Sequence, residues 1–190
     1  MKVLVACEYS GKVRDAFSKL GHDAWSCDIL PSDKDYGNHY QGNVEDILYE
    51  DWELIIAHPP CTYFANSGVR WLYEKPERWK QLEDSARFFN LFLDHPCKKI
   101  AVENPIIHKH ALKLIHGRKY SQTIQPYQFG HGESKRTCLW LKGLPNLQPT
   151  DMVDGREQRI WKLPPSEDRW KLRSETFQGI ADAMATQWGA

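Results

Sequence analysis

The chain has 190 residues, 41% apolar and 26% charged, the composition of a soluble globular protein with room for one well-buried domain, expected here to span residues 1–190. Lys plus Arg (25) equals Asp plus Glu (25), which excludes a surface that is basic throughout but leaves room for a local basic patch. Five widely spaced cysteines with no CxxC pair exclude a disulfide framework and a zinc ribbon; free thiols, no signal-like N-terminus and no long apolar run predict a cytoplasmic protein with neither membrane nor metal partner.

Lys2 to Cys7 is a continuous, β-branched apolar run and predicts a central strand buried on both faces. Glu8-Tyr9-Ser10-Gly11 predicts a turn, and Val13 to Leu20 a helix with Val13, Ala16, Phe17 and Leu20 on one face, stopped at Gly21. Asp23 to Cys27 reads as a second strand ending in Asp28. Strand, turn, helix, strand and acidic residue is the layout of a nucleotide-binding unit. Asp28 would accept from a ribose, or serve as a turn residue or cap. Pro31 to Gln41 is polar and predicts a loop, and Gly42 to Ile47 a turn into a short helix.

Trp52 to Ala57 predicts the next strand. It runs into His58, Pro59, Pro60 and Cys61, where the prolines fix φ and end the ladder. Cys61 therefore sits on a stiff turn at a strand's carboxyl end, the edge where open α/β sheets bind ligands. Trp79, Leu82, Ala86, Phe89 and Leu93 recur at helical spacing, and Pro96 ends that helix. Lys99 to Val102 predicts a strand running into Glu103-Asn104-Pro105. The strand, helix, strand spacing suits a parallel crossover, which would bring Cys61 and Glu103 to one sheet edge.

Lys109 to Lys119 is basic and partly helical, and His108, His110 and His116 read as a solvated surface rather than a metal site. Gln122 to Phe129 and Thr137 to Lys142 predict two further strands. Gly143 to Ser174 reads as an irregular surface excursion, and residues 175–190 as a closing helical stretch with Ile180, Met184 and Trp188 on its apolar face. The eight tryptophans are read as packing residues by default.

A cysteine and a glutamate facing one pocket make a coherent pair for pyrimidine chemistry. A thiolate adding to C6 turns C5 into an enamine carbon able to attack an electrophile, and an acid at N3 eases the addition. A glutamate in an apolar strand-end pocket is expected to have its pKa raised and stay protonated. The thiol needs a nearby base or positive field.

These residues, CEYSG at Cys7–Gly11, GNVEDI at Gly42–Ile47, PPC at Pro59–Cys61, VEN at Val102–Asn104, YQFG at Tyr127–Gly130 before a basic pair, and FQGIADAMATQW at the end, resemble in order and spacing the S-adenosylmethionine-dependent cytosine C5 DNA methyltransferases. The chain is also similar to small phage- and prophage-borne proteins of that kind. The resemblance implies an α/β, Rossmann-like methyltransferase fold: a mostly parallel sheet, an antiparallel last strand and helices on both faces. It implies Cys61 as nucleophile, Glu103 as the acid at N3 and Asn104 as a brace. Cys7, Glu8, Ser10, Gly11, Asp28, Ile29, Asn43, Val44 and Pro59 would hold S-adenosyl-L-methionine. Pro60, Lys135, Arg136 and Thr137 would contact the substrate, DNA first, otherwise RNA or a free cytosine nucleotide.

The chain departs from the pattern in having a single glycine in the first turn, Thr62 after the cysteine, Pro105 after Glu-Asn, and no room for a separate target-recognition domain. Two rivals follow. An amino-directed methyltransferase would carry a polar residue, two prolines and an aromatic; here His58 and Cys61 hold the outer places. A methyltransferase-like protein without activity could instead bind nucleic acid or a protein. A zinc deaminase is excluded, because Phe64 stands where its second cysteine belongs.

Overall fold

A computed structural model describes residues 1–190. The strands are β1 Lys2–Ala6, β2 Asp23–Asp28, β3 Asn38–Gln41, β4 Leu54–Ala57, β5 Ile100–Asn104, β6 Gln122–Ile124 and β7 Thr137–Lys142. They form one sheet in the order β3-β2-β1-β4-β5-β7-β6. Strands β1 to β5 pair parallel, while β7 runs antiparallel to both β5 and β6. The α/β class with a mostly parallel sheet and an antiparallel last strand is as the sequence predicts. No helix is long and apolar enough to cross a membrane.

The two faces of the sheet follow from the period of two along each strand. Leu4, Ala6, Ile55, Ala57, Ile100 and Val102 belong to one buried cluster, covered by α3 (Glu77–Leu93), which follows the single-turn α2 (Trp71–Glu74), and by α4 (Lys109–Leu114). Val3, Val5, Leu54, Ile56 and Ala101 belong to the other, covered by α1 (Lys12–Lys19) and α7 (Gln178–Trp188). With both faces covered, the central strands need no polar alternation, which is why they read as unbroken apolar runs. Gly179 lets α7 lie close, since a Cβ there would collide with the Phe129 carbonyl.

Several expectations need correction. The polar stretch Pro31 to Gln41 ends in β3, an edge strand whose half-exposed NHYQ carries almost no apolar alternation for a sequence pattern to detect. The strand expected over Gln122 to Phe129 stops at Ile124, because Pro126 donates no ladder bond and begins a turn of 3-10 helix, Pro126–Gln128. Leu20 lies past the end of α1 and is 51% exposed rather than on its buried face. His108 is not solvated. It is buried at the N-terminus of α4, where Nδ1 accepts from Ala111 N at 3.1 Å and Nε2 donates to Tyr63 O at 2.8 Å, and burial lowers its pKa.

The excursion after Gly143 also needs correction. It carries α5 (Arg159–Lys162) and α6 (Arg169–Ser174), and instead of running over free surface it is pinned to the carboxyl edge of the sheet. Tyr9 Oη donates to Lys171 O at 3.0 Å, Lys12 pairs with Glu175 at 2.7 Å, and Lys135 Nζ donates to Arg173 O at 2.7 Å.

Phe89 is the packing hinge of the α3 face, fully buried between Phe64 (ring centroids 5.1 Å) and Trp140 (5.2 Å). Phe89→Ala removes both contacts and leaves a cavity, so it should cost about 3–5 kcal/mol in urea unfolding. A loss within experimental error of zero would mean that α3 is not seated on the sheet as described.

Candidate active site

The strand order reverses between β1 and β4, and the crevice outside their carboxyl ends is a ready ligand site. A cavity of about 1280 Å³ opens there. At one end lie the first turn and the end of β2. Cys7 follows β1 with φ 60°, in the left-handed region, and Gly11 closes the turn at φ 69°. That left-handed φ favours glycine at position 11, where a Cβ would also crowd the Arg14 guanidinium. Glu8 is buried, with Oε1 accepting from Val13 N at 2.6 Å and Oε2 from Arg14 N at 3.2 Å; its carboxylate thus caps α1. Burial pushes the Glu8 carboxyl above its ordinary range, against the lowering effect of His58 and those amides. Ser10 Oγ donates to Glu8 at 3.4 Å.

Asp28 ends β2 and accepts from Leu30 N at 3.0 Å, while Ile29 beside it leaves 77% of its surface exposed on the cavity wall. Asn43 caps a short 3-10 turn by accepting from Glu45 N at 3.2 Å, which presents Val44 to the same wall.

At the other end, β4 and β5 deliver the reactive groups. Their ladder pairs Ala57 with Val102, so the next residues, His58 and Glu103, fall side by side on one face. His58 Nδ1 lies 3.2 Å from Glu103 Oε2. Burial raises the Glu103 pKa, but the hydrogen bond and charge of His58, with Lys135 behind them, outweigh it and hold the carboxyl below its ordinary range. The protonated Glu103 expected from its apolar setting is therefore corrected: His58 keeps it ionised. The side chain of Asn104 donates to Pro59 O at 2.8 Å and ties the two strand ends together.

Cys61 is exposed on this wall, whereas Cys27, Cys97 and Cys138 are buried and Cys7 is half-buried. Desolvation, then the Glu103 charge, push its thiol up; Lys135 and Arg173 pull it down, with a net rise. Lys135, Arg136 and Thr137 line the same cavity, as do Pro59 and Pro60. Of the residues singled out from the sequence, Gly11 alone does not touch it. No group of three or more His, Cys, Asp or Glu side chains is disposed to hold a metal ion.

The sequence reading missed His58 and the roof. His58 was legible only as the polar residue closing an apolar strand. The roof is the segment Gln158–Thr176, which contributes Trp161, Arg169, Trp170 and Arg173 to the cavity and has no periodicity to betray it.

No protein-family model matches the chain, and neither does any curated protein. Among solved structures, it is similar to a methyltransferase of Entamoeba histolytica, EhMeth, with 15% identity and a TM-score of 0.48. The match covers 80% of this chain and 57% of that one, so this chain spans less than two thirds of that protein's length.

The His58–Glu103 pair carries a pH signature. A carboxyl held below its unfolded pKa, about 4.3, stabilises the fold fully above that value and loses the contribution as pH falls through the folded value. His58→Ala strips a mostly buried carboxylate of its partner and should cost about 3–5 kcal/mol near neutral pH. The gap from the native protein should narrow as pH drops below about 4.3. Urea midpoints measured across that range check it; a gap independent of pH would show that the pair does not stabilise Glu103 as an anion.

Proposed function

We propose that the protein transfers a methyl group from S-adenosyl-L-methionine to C5 of a cytosine in DNA, through a covalent bond between Cys61 and C6. The observation that carries this reading is one continuous cavity with an exposed thiol and a carboxylate at one end and a nucleotide-type strand end at the other. Its volume of about 1280 Å³ exceeds the ~300–1,000 Å³ usual for a single small ligand, which suits a cofactor and a base side by side.

The residues at the β1–β2 end fit an adenosyl group. The Asp28 carboxylate would accept from ribose hydroxyls, and Ile29 and Val44 would give apolar cover to a flat ring. The Glu8 carboxylate already satisfies the α1 amides, so the amino-acid part of the cofactor would meet Ser10 and the turn backbone rather than a bare helix end. When bound there, S-adenosyl-L-methionine supplies a methyl group on an electrophilic sulfonium. At the catalytic end, His58 Nε2 and Asn104 Oδ1 are buried without partners, and each such atom costs about 1–3 kcal/mol until a polar edge meets it.

The work of the chain's own residues follows. Cys61 loses its proton to solvent through its exposed side, aided by the Lys135 and Arg173 charges, and its sulfur bonds to C6. The electron pair displaced toward the ring is held by a proton reaching N3 from solvent through the Glu103 carboxyl, which His58 orients and whose side chain is partly open to the cavity. C5 would then take the methyl group as its bond to the sulfonium sulfur breaks and leaves a neutral thioether; loss of the C5 proton to solvent would expel the Cys61 sulfur as thiolate, and return of the N3 proton through Glu103 would restore the ring.

Cys61→Ala should abolish transfer, and Glu103→Gln should slow it by about 10²–10⁴-fold. Because the free thiol is held above its ordinary pKa, the rate should climb as pH rises toward the alkaline side. DNA containing 5-fluorocytosine has no C5 proton to lose and should trap a covalent protein–DNA adduct in the presence of cofactor. Methyl transfer retained by Cys61→Ala would overturn the covalent route in favour of an amino group as acceptor, and no cofactor binding by calorimetry would overturn enzyme function altogether.

A further inference from the structure

The charges around the cavity are unevenly satisfied. Each carboxylate on its wall is engaged within the protein: Glu8 by the α1 amides, Asp28 by Leu30 N, Glu103 by His58 and Glu175 by Lys12. The cations are not. Lys135, Arg136, Arg169 and Arg173 all line the cavity, and none forms a salt bridge. Lys135 spends its ammonium on the Arg173 and Glu175 carbonyls, and the Arg169 Nε is buried with no partner. A chain of zero net charge thus presents an uncompensated positive field at one place, the substrate end.

Two large aromatic rings stand in that field. Trp161 is 67% exposed and Trp170 is 53% exposed, both in the roof and both on the cavity wall. A soluble fold has little reason to hold two indoles in water, and arginines interleaved with exposed tryptophans form the composition that holds single strands: rings for base faces, cations for phosphates. The roof is also firmly mounted. Tyr9, Lys12 and Lys135 tether it to the first turn, to α1 and to the catalytic wall.

We propose that the roof, Gln158–Thr176, captures single-stranded DNA, stacking bases that neighbour the target on Trp161 and Trp170 while Arg136, Arg169 and Arg173 hold phosphates. This rests on the reading of the cavity as a site for a cytosine. It selects a single strand over a duplex for a physical reason. Pulling a base out of a duplex is costly, whereas in a single strand the base is already accessible and its unpaired neighbours are free to stack on the two exposed rings. It selects a strand over a free nucleotide because the exposed rings extend the contact surface past one base.

The test is a fluorescence anisotropy titration of the whole protein with a labelled oligodeoxynucleotide of about twelve residues holding one cytosine, against the same sequence as a duplex and against dCMP as competitor. The single strand should bind at least about 10-fold more tightly than the duplex, and dCMP should compete only weakly. Trp161→Ala and Trp170→Ala should each weaken binding by about 5- to 150-fold. Three phosphate contacts predict a slope of about −2 in log K against log salt, reduced by about 0.7 in Arg173→Ala. Equal or tighter duplex binding, displacement by dCMP at concentrations equivalent to the oligonucleotide, or no loss in either tryptophan variant would overturn the proposal. The unsubstituted protein's preference decides the matter even should a variant fail to fold. Binding is read without cofactor and on Cys61→Ala as well. A protein that holds the strand but never forms the fluorocytosine adduct therefore supports this inference while refuting the catalytic reading, and one that forms the adduct on duplex or free nucleotide as readily does the reverse.

Discussion

The register between β4 and β5 is the constraint on which the site depends. Ala57 faces Val102, so His58 and Glu103 come next in step, on the face already occupied by Ile56 and Ala101. A slip of one residue would turn one of the two to the other face and part them. Close packing fixes the register, because Ile55, Ala57, Ile100 and Val102 are fitted into one buried cluster and Ile56 and Ala101 into the other. The Asn104 amide on the Pro59 carbonyl then locks the strand ends beyond the ladder, where prolines forbid further pairing. A core that knows nothing of chemistry thereby sets the spacing of a histidine, a carboxylate and a thiol.

Charge is handled differently at the two ends of the crevice. At the first turn the protein neutralises itself: Glu8 occupies the amides of α1 that would otherwise attract an external anion. At the far end it leaves cations unmatched, and the acids of the two ends are held in opposite directions, Glu8 pushed up by burial and Glu103 pulled down by His58. His58 stands between them and influences both. A neutral-leaning end at the first turn beside a positive end at Lys135 and Arg173 is a division that a chain of zero net charge achieves only by local placement.

Much of this was legible in the sequence, and the parts that were not share a cause. Apolar runs ending in Pro-Pro-Cys and Glu-Asn-Pro announce buried strands with chemistry at their tips, because burial on both faces and loss of a backbone donor leave strong local marks. The stripe from Trp79 to Leu93 announces α3 in the same way. What stayed hidden depends on partners distant in sequence. β3 is polar and exists because β2 offers it an edge. The ionisation of Glu103 depends on a residue 45 positions earlier. His108 is a polar residue whose burial follows from Tyr63 and Ala111 lying around it. The roof has irregular local structure because its order comes from Tyr9, Lys12 and Lys135, more than 30 residues away in each case.

Those same tethers link the two ends of the crevice. Tyr9 sits between Glu8 and Ser10 in the turn that would hold the cofactor, and its hydroxyl reaches the Lys171 carbonyl and Ser174 in the roof. Lys12, at the start of α1, holds Glu175 in the segment leading to α7. The first turn and the segment carrying Trp170 and Arg173 are therefore in direct contact. Partly exposed ion pairs and hydrogen bonds of this kind each contribute about 1 kcal/mol or less, so the roof is held by several tethers together rather than by any one of them. A small fold can in this way use one segment both as cover and as the link between the two ends of its crevice.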